Sequence, residues 1–476
     1  MSKREKLIRF LEGRYTARTP RSREAFARAE RVMVRGGSHT IRLFRPYPFF
    51  VRKAEGAFIT DLDNRKYIDY WQGHYANVLG HNPPEVAGEI ERLGGRDGSL
   101  HTGFEGEFQV RLAERLLGLI GWKGHQVRFT TSGTLAAMSA VILAKGCTGR
   151  QKILKAGGGW HGASPMLLKG VKYGRKGYEH LESAGLPADV LRDTQLVRFN
   201  DPDDLERKIR RNGDKTACFI VEPFLGAGGF LAAAPDYLAA ARRLCDRYGI
   251  VLIFDEIVSG FRFGPTAVHA LYGIEPDLAT FGKVIGGGHA VAAVTGKRKI
   301  FEGCEAKAPE SRRVMFEGGT FSAHPLYMLS GLAMLNVLSR RSRSIYPKLA
   351  ARGESLRRGI EGVFGAEGIE VRCTGDGNEL LGGSSMFMVN FPKGPSDFRS
   401  AEDVWDPERC DVSLREDVLR LALVTLGVHT VHGGGAVSAA HADRENVFRD
   451  QREKRSEICR TLEAYAETAS LFRRYL

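Results

Sequence analysis

The sequence lacks the features that mark disulfide-rich, zinc-binding and membrane-spanning proteins. Its seven cysteines are odd in number and never spaced as Cys-x-x-Cys, so we expect neither a disulfide framework nor a metal site. No run approaches the roughly eighteen apolar residues of a membrane span. The N-terminal segment has no apolar signal core and carries acidic residues among its basic ones. A cytosolic location is therefore expected.

Nucleotide- and nucleic-acid-binding signatures are also missing. The sequence has no Walker A motif, and no Gly-x-Gly-x-x-Gly fingerprint follows a predicted strand, which argues against nucleoside triphosphates and dinucleotides as cofactors. The formal charge of +14 permits binding to nucleic acid or to small anions. The basic residues are dispersed, however, without an aromatic RNA-binding stripe or zinc-finger spacing. A basic nucleic-acid-binding protein is kept only as the alternative from another class.

Short apolar strands alternate with longer helical stretches from about residue 100, a pattern typical of a doubly wound α/β layer. A helix is predicted at 235–248, with proline in its first turn and Gly249 just past its end. A long helix from Pro325 leads into a different region, so we predict three parts: an N-terminal segment of residues 1–95, a large domain of residues 96–335 and a C-terminal small domain of residues 336–476. The predicted strands of the large domain are 126–130, 152–155, 218–221, 250–254, 278–280 and 291–295.

Two carboxylates follow the apolar strand predicted at 250–254. The run Ile-Val-Leu-Ile-Phe is rich in β-branched residues, as expected of a strand covered on both faces, and we predict that it stops at Asp255. A carboxylate at the end of a buried strand is stable only when it is paired with a cation or a proton. The rest of the chain must supply that partner.

Other polar groups follow the neighbouring strands at the same edge of the predicted sheet. In "FTTSGTLAAMSA", residues 129–140, hydroxyls and free backbone N–H groups converge at a helix N-terminus, which is either a phosphate seat or an ordinary N-cap. Lys283 follows a short strand and precedes three glycines. Ligands of open α/β sheets bind beyond the carboxyl ends of the strands. We therefore expect Lys283, Asp255, the hydroxyl cluster and the Gly-Gly-Gly-Trp-His-Gly loop at 157–162 to meet in one crevice.

Pyridoxal 5′-phosphate is a cofactor that needs this whole set. It requires a lysine for a Schiff base, a carboxylate for its pyridine nitrogen, a phosphate seat and flat or apolar side chains against its ring. Asp255 would keep the ring nitrogen protonated. Strand alternation places Ile257 on the same side as Asp255, so Ile257 would press on one ring face while Trp160 stacks on the other. Taken singly, Trp160 could be a core residue and Asp255 a helix cap.

Seven motifs give the chain a family resemblance over residues 35–443. In these motifs it resembles the class III aminotransferases of the fold type I pyridoxal phosphate enzymes, within the branch that holds glutamate-1-semialdehyde 2,1-aminomutase and the β-amino acid aminotransferases. The resemblance implies an α/β fold with a mainly parallel central sheet flanked by helices, and a smaller α+β domain built from the N- and C-terminal segments. The motifs are GAFITDLDNRKYIDY (56–70), SGT (132–134), WHG (160–162), VEP (221–223), FDEIVSGFR (254–262), PDLATFGKVIGGG (276–288) and GGTFSAHP (318–325).

The resemblance implies roles for individual residues in the large, cofactor-binding domain. Lys283 would be the catalytic Schiff-base lysine and proton shuttle, and Thr320 would reach the phosphate of the neighbouring subunit in a homodimer with its active site at the interface. Pyridoxamine 5′-phosphate would be the intermediate form of the cofactor. The implied cofactor-binding residues are Ser132, Gly133 and Thr134 at the phosphate, Trp160 and Ile257 at the ring faces, Asp255 at the ring nitrogen, Glu222 near the ring hydroxyl, His161 beside the cofactor, and Lys283 itself.

The substrate pocket departs from the aminomutase pattern. Arg42 matches an arginine that receives the substrate carboxylate, but His74 stands where the aminomutase has a tryptophan, and the glycines at 433–435 stand where it has a functional glutamate. Leu135 also replaces the glutamate usual after SGT. The sequence therefore predicts transfer of an amino group on a small carboxylate-bearing amino acid or amino aldehyde. An intramolecular amino shift and a family member that keeps the cofactor without catalysis remain alternatives.

Overall fold

The computed structural model describes residues 2–94, 101, 103–174, 177–178, 183–395, 397–442 and 456–476. Within these ranges no helix combines the length and the apolar character needed to cross a membrane. The strands are β1 (Val51–Glu55), β2 (Phe58–Asp61), β3 (Lys66–Asp69), β4 (His125–Thr130), β5 (Lys152–Ala156), β6 (Thr194–Val197), β7 (Thr216–Val221), β8 (Phe224–Leu225), β9 (Leu231–Ala232), β10 (Val251–Glu256), β11 (Leu278–Phe281), β12 (Ala292–Lys297), β13 (Arg372–Thr374), β14 (Met386–Asn390), β15 (Val428–His429) and β16 (Gly434–Ala436).

The helices surround these strands. They are α1 (Lys3–Arg18), α2 (Pro20–Val32), α3 (Gln72–Tyr75), α4 (Pro84–Gly94), α5 (Glu107–Ile120), α6 (Gly133–Thr148), α7 (Ala188–Asp193), α8 (Pro202–Asn212), α9 (Pro235–Tyr248), α10 (Val268–Tyr272), α11 (Arg298–Phe301), α12 (Pro325–Arg340), α13 (Ser342–Ala366), α14 (Ala401–Trp405), α15 (Arg420–Thr425) and α16 (Glu457–Tyr475). A π-helical turn, Leu414–Leu419, leads directly into α15.

A seven-stranded sheet in the order β4-β12-β11-β10-β7-β5-β6 forms the centre of the large domain. Its strands from β11 to β6 are parallel to one another, and β12 runs antiparallel to both of its neighbours. Every residue of β10 is buried, because Leu252 and Phe254 pack into one apolar cluster with α9 while Ile253 packs into another with α6. The prediction of a mainly parallel sheet with helices on both faces is confirmed.

A smaller α+β domain joins the two ends of the chain, as predicted. Its four-stranded sheet has the order β1-β2-β3-β15, and β3 pairs in parallel with β15, more than 350 residues later. One apolar cluster contains Leu7 of α1, Tyr67 of β3, Leu356 of α13 and Phe472 of α16. The core of this domain therefore cannot form until both ends of the chain are present. The boundaries at residues 95 and 335 stay a prediction.

Several elements have the predicted extent and a few do not. Helix α9 has the predicted bounds, with Gly249 in the left-handed conformation at its C-cap. The predicted stop at Asp255 is wrong, since β10 continues through Glu256. The two acids remain in the buried strand because each is fully hydrogen-bonded: Glu256 accepts from Val268 and His269 on one side of the sheet. The sequence also predicts a helix at 444–465, of which residues 444–455 lie outside the described residues.

Candidate functional site

The carboxylate of Asp255 lies at the C-terminal edge of the central sheet in a fixed orientation. Its Oδ1 accepts hydrogen bonds from Thr280 Oγ1 and from the backbone N–H of Ile257, each at 3.0 Å. Its Oδ2 accepts from His161 Nδ1 at 2.7 Å, so the ring proton of His161 is on Nδ1. Asp255 is 3% exposed. A buried carboxylate held by three donors is rigid and well suited to a cationic ring nitrogen.

Lys283 lies next to Asp255 because their strands are neighbours. Asp255 of β10 is in register with Thr280 of β11, and Lys283 begins a 3₁₀ turn three residues after Thr280. The backbone of Lys283 has φ +45°, a left-handed conformation that is strained for a residue with a Cβ. A Cβ at the preceding Gly282 would lie 2.9 Å from Ile257 Cδ1, so the end of the Ile257 side chain would have to shift. The chain therefore maintains a strained turn at this lysine.

The charged groups around Lys283 change one another's protonation. Burial lowers the pKa of Lys283, and the charges of Asp255 and Glu222 oppose that change. Burial, followed by the charge of Asp255, raises the pKa of Glu222 to about 8. The two oxygens of Glu222 accept from the backbone N–H groups of Trp160 and Gly226, at 2.8 and 2.9 Å. An amine with a lowered pKa more readily exists as the free base that attacks a carbonyl.

A loop packs tightly against the N-terminus of α6. Ser132 is the N-cap, and its Oγ accepts from the backbone N–H of Leu135 at 3.3 Å. Thr134 Oγ1 accepts from the backbone N–H of Ala163 at 3.2 Å. Gly162 has φ +81°, and a Cβ there would lie only 2.6 Å from Thr134 Cα. The backbone can therefore approach this helix N-terminus closely, where the first N–H groups have no intrahelical acceptor and favour an anion.

Ile257 lies beside the start of α6, and Trp160 lines the cavity that also contains Lys283. A Cβ at Gly133 would lie 3.2 Å from Ile257 Cδ1, which places Ile257 beside the start of α6. Trp160 is 37% exposed and lines a cavity of about 1010 Å³ together with Lys283. The donor set fits pyridoxal phosphate: an anion seat at α6, a fixed carboxylate, an amine of lowered pKa, and an indole left open to a ligand.

Arg42 is hydrogen-bonded to His74, which lines this cavity. Arg42 Nε donates to His74 Nε2 at 3.3 Å, so the proton of the imidazole is on Nδ1. Burial, followed by the charge of Arg42, lowers the pKa of His74 to about 3, so that the ring is neutral at physiological pH. His74 lies in a turn, 72–75, whose four residues all have positive φ. This turn directs the imidazole into the cavity lining.

Thr320 is not part of this buried cluster. It is exposed and follows Gly319, where a Cβ would lie 3.9 Å from Thr131 Oγ1, so its segment passes the end of β4. The structure thus brings the other predicted cofactor residues together at one edge of the sheet. Within the described residues, no three His, Cys, Asp or Glu side chains are grouped so that they could hold a metal ion.

The sequence did not indicate several residues that shape the site. Thr280, on the neighbouring strand, donates a hydrogen bond to Asp255. This contact could be predicted only from the pairing register of β10 and β11. Buried Arg262 donates to the carbonyls of Val258 and Tyr75, and its charge also lowers the pKa of Lys283. The FDEIVSGFR motif contains Arg262 but gave it no role. The sequence also contains a basic run, KGVKYGRK (169–176), part of which lies outside the described residues.

Comparisons with known proteins agree with this geometry. A family model described as "Aminotransferase class-III" matches residues 42–369. The chain is 35% identical over 380 residues to the glutamate-1-semialdehyde 2,1-aminomutase of Methanothrix thermoacetophila, covering 80% of this chain and 84% of that protein. The structure of a β-phenylalanine aminotransferase from Variovorax paradoxus superposes with a TM-score of 0.81 at 27% identity, over 97% of this chain and 96% of that one. A transaminase with pyridoxal phosphate bound gives a TM-score of 0.79 at 29% identity, over 95% and 97%.

Proposed function

The chain belongs to the class III aminotransferases, and from that premise we propose that it transfers the amino group of a small carboxylate-bearing amino acid or amino aldehyde to a separate acceptor. It is an enzyme whose cofactor is pyridoxal 5′-phosphate. One observation carries the choice of substrate: a single cavity is lined by Lys283, Trp160 and His74, with the guanidinium of Arg42 bonded to His74.

We assign the cofactor to the space between β10, β11 and the start of α6. When bound, the cofactor supplies an electron-withdrawing ring that makes a proton on the substrate carbon removable. Lys283 would hold it covalently through Nζ, and Asp255 would hold the proton of its ring nitrogen. The remaining contacts we propose are Ser132, Gly133 and Thr134 with the phosphate, Ile257 and Trp160 with the two ring faces, and His161 and Glu222 with the ring edge.

Lys283 is also suited to move the proton at the substrate carbon. Its lowered pKa increases the fraction of free amine, so that Nζ can accept a proton and return it afterwards. The charge of Asp255 stabilises the ammonium while it carries the proton, and Glu222 adds to this effect when it is ionised. The same lysine can therefore serve as the attachment point and as the acid–base group.

Arg42 is suited to receive the substrate carboxylate. Neutral His74 accepts from Nε and Ser38 Oγ accepts from Nη1 at 3.4 Å, which fixes the plane of the guanidinium and leaves the N–H groups of Nη2 for a carboxylate. A planar guanidinium binds a carboxylate through two parallel hydrogen bonds and so fixes its direction as well as its distance. The substrate would thus be oriented with its amino-bearing carbon toward Lys283.

An intramolecular amino shift is the second candidate. It is favoured by the 35% identity with a protein named as a glutamate-1-semialdehyde 2,1-aminomutase. Transfer is preferred because, by the family resemblance, His74 and the glycines at 433–435 stand where the aminomutase has a pocket tryptophan and a functional glutamate. The nucleic-acid-binding alternative gains no support from these relatives.

An assay of the purified holoenzyme with and without an amino acceptor distinguishes amino transfer from an intramolecular amino shift. With one amino donor and no acceptor, we expect the cofactor absorbance to change once, by about one equivalent per site, because the amino group then has nowhere to go. Addition of a keto acid should start continuous turnover. Sustained turnover of a single substrate without any acceptor would instead identify an aminomutase. Product analysis by chromatography gives the readout, and the Lys283→Ala variant gives the background rate.

We further propose that the enzyme is a homodimer in which Thr320 contributes to the site of the partner subunit. Thr320 is exposed, and its segment also exposes Met315 and Phe321, which are 83% and 52% accessible. Apolar side chains this exposed are commonly covered by a partner. Light scattering should give about twice the mass of one chain, and a monomer at micromolar concentration would contradict the proposal. The cytosolic location stays a prediction.

A further inference from the structure

His432 contributes an imidazole to the cavity of Lys283 that the proposed cycle does not use. It lines this cavity together with Glu416 and Trp405, which also come from the C-terminal part of the chain. Building on the proposed function, we propose that Nε2 of His432 accepts a hydrogen bond from a hydroxyl group of the substrate. The preferred amino donor or acceptor then carries a hydroxyl in addition to its carboxylate.

The backbone holds His432 in a strained turn. Val431 and Gly434 exchange backbone hydrogen bonds of 3.1 and 3.0 Å, so His432 and Gly433 form a two-residue hairpin loop. Their φ angles are +56° and +64°, and a type I′ turn requires positive values at both positions. Asparagine is preferred at the first position, and a histidine there has a strained backbone. Strain of this kind is concentrated at functional sites, which indicates a role for the imidazole.

Glu416 fixes the orientation of this imidazole. Its Oε2 accepts from Nδ1 of His432 at 2.6 Å. The ring of Trp405 meets the imidazole edge to face, with 5.5 Å between the centroids. In the neutral ring the proton is therefore on Nδ1 and the lone pair on Nε2. In the part of the chain that the structure describes, no group bonds to Nε2, and the side chain is 28% exposed, so this lone pair is available to a ligand.

A buried cation holds Glu416 in turn. Oε1 of Glu416 accepts from Arg415 Nε at 3.0 Å. Burial would raise the pKa of Glu416, but its partners His432 and Arg415 hold it at about 2, so the carboxylate is ionised. Arg415 is 1% exposed, and its Nη2 is buried without a hydrogen-bond partner. A buried ion pair with an unsatisfied nitrogen adds little to stability, so the orientation of His432 explains this arrangement better.

Arg415 and Glu416 lie in a second irregularity of the backbone. Residues 414–419 form the π-helical turn that leads into α15. Such turns are rare and occur frequently at functional sites. Gly433 packs against this turn, because a Cβ there would lie 2.4 Å from Arg415 Cγ. Two irregular segments, distinct in sequence, thus bring Glu416 and His432 together in the cavity lining.

A hydroxyl is the substrate group that suits Nε2 of His432. An ammonium group would also donate, but the cavity lining already contains the cation of Arg420. A carboxylate has no proton to donate, so it would place its lone pairs against that of Nε2. A hydroxyl donates without adding a charge. Trp405 and Met388, in the same lining, provide apolar surface for the carbon that carries it.

Binding of unreactive carboxylates to the holoenzyme tests this assignment without requiring turnover. The first set of ligands is pentanoate, 4-hydroxypentanoate and 4-oxopentanoate, and the second set has the same groups at carbon 5 of hexanoate. In at least one set, isothermal titration calorimetry should show that the wild type prefers the hydroxy ligand to both others by about tenfold, since only the hydroxyl can donate to Nε2. No preference in either set, or no binding of any ligand, would overturn the proposal.

Replacing His432 by asparagine should reduce this preference to about onefold. Asparagine suits the first position of the turn, so His432→Asn should fold at least as well as the wild type. A preference that persists in His432→Asn would overturn the proposal. The ratio of two affinities within one variant does not depend on the fraction of protein that is folded.

Glu416→Gln tests the positioning role of the carboxylate. The new amide oxygen can accept from Arg415 and then directs its NH₂ group at Nδ1 of His432. Nδ1 must then accept, so the ring proton moves to Nε2, which becomes a donor. The preference for the hydroxy ligand over the oxo ligand should fall to about onefold, because a carbonyl can accept from Nε2. An unchanged tenfold preference would contradict the positioning role of Glu416.

His39 provides a matched control because it is another histidine of the cavity lining. His39 Nδ1 accepts from the backbone N–H of Ile41, and an asparagine can accept there in its place. His39→Asn should keep the preference for the hydroxy ligand. Loss of the preference in both variants would overturn the proposal, because the effect would then come from the shape of the cavity.

Rates with two amino donors separate this proposal from the proposed function. His432→Asn should lower kcat/KM for homoserine by about tenfold and leave that for 2-aminobutyrate, which lacks the hydroxyl, within about threefold. If the wild type shows no change of cofactor absorbance with any amine, the proposed function fails, while the calorimetric preference still decides the role of His432. If amines react but no hydroxy ligand is preferred, only the hydroxyl assignment is wrong.

Discussion

Replacing Lys283 by alanine is expected to abolish covalent attachment of the cofactor and to lower kcat by roughly 10⁴-fold or more, since both the nucleophile and the proton carrier are lost. Noncovalent binding should survive, because the anion seat at Ser132 and the carboxylate of Asp255 are unchanged. Borohydride reduction followed by peptide mass spectrometry measures the attachment. In the wild type the reduced cofactor should be found on the peptide that contains residue 283.

Lys172 provides a matched control because it is another lysine in the cavity lining. Lys172→Ala should retain the borohydride-stable adduct and most of the turnover. A cofactor adduct that persists in the Lys283→Ala protein would mean that another lysine is the attachment point. A Lys283→Ala variant that turned over within tenfold of the wild type would remove the acid–base role.

Replacing Asp255 by asparagine is expected to lower kcat by about 10²- to 10³-fold. The amide keeps the shape of the side chain and can still accept from Thr280 and Ile257, but it carries no charge to hold the proton on the ring nitrogen. A neutral ring withdraws electrons less strongly from the substrate carbon. Stopped-flow absorbance with a saturating amino donor should show the loss in the proton-abstraction step.

Glu256, the adjacent carboxylate, provides a matched control for Asp255. Glu256 is equally buried in β10 but points to the other side of the sheet, where it bonds His269. Glu256→Gln should reduce stability without the loss in the proton-abstraction step. Reconstitution of Asp255→Asn with a cofactor methylated at the ring nitrogen, which is permanently cationic, should recover part of the rate. Equal rates for Asp255→Asn and the wild type would show that Asp255 acts only through structure.

The sequence was most informative where a single segment encodes both an element and its chemistry. Helix α9 has proline at its start and glycine at its end, and its observed bounds match the predicted ones. The apolar run before Asp255 and the short strand before Lys283 indicated buried parallel strands, whose carboxyl ends share one edge of the sheet. That rule was sufficient to bring Lys283, Asp255 and the 132–134 segment into one crevice. The resemblance to a family added Arg42 and Thr320, which no local pattern marks.

Features that depend on long-range contacts could not be predicted from the sequence. The continuous left-handed turn at 72–75 contains three residues other than glycine, and such conformations have no reliable sequence signal. The end of β10 was misplaced because the partners that make two buried carboxylates tolerable, Thr280 and His269, come from other segments. Arg420 and Glu416 read as ordinary charges of a C-terminal helix until the fold places them in the cavity of Lys283.

The sequence by itself determined the fold class and the position of the central chemistry, because strand-end residues and helix caps act within a few residues of one another. Only the tertiary structure decided the protonation of Glu222 and His74 and the partners that orient Asp255 and Arg42. Burial and charge proximity are properties of the packed chain: the small domain packs α1 and β3 against α13 and α16, and the cavity at Lys283 takes its lining from both ends of the chain.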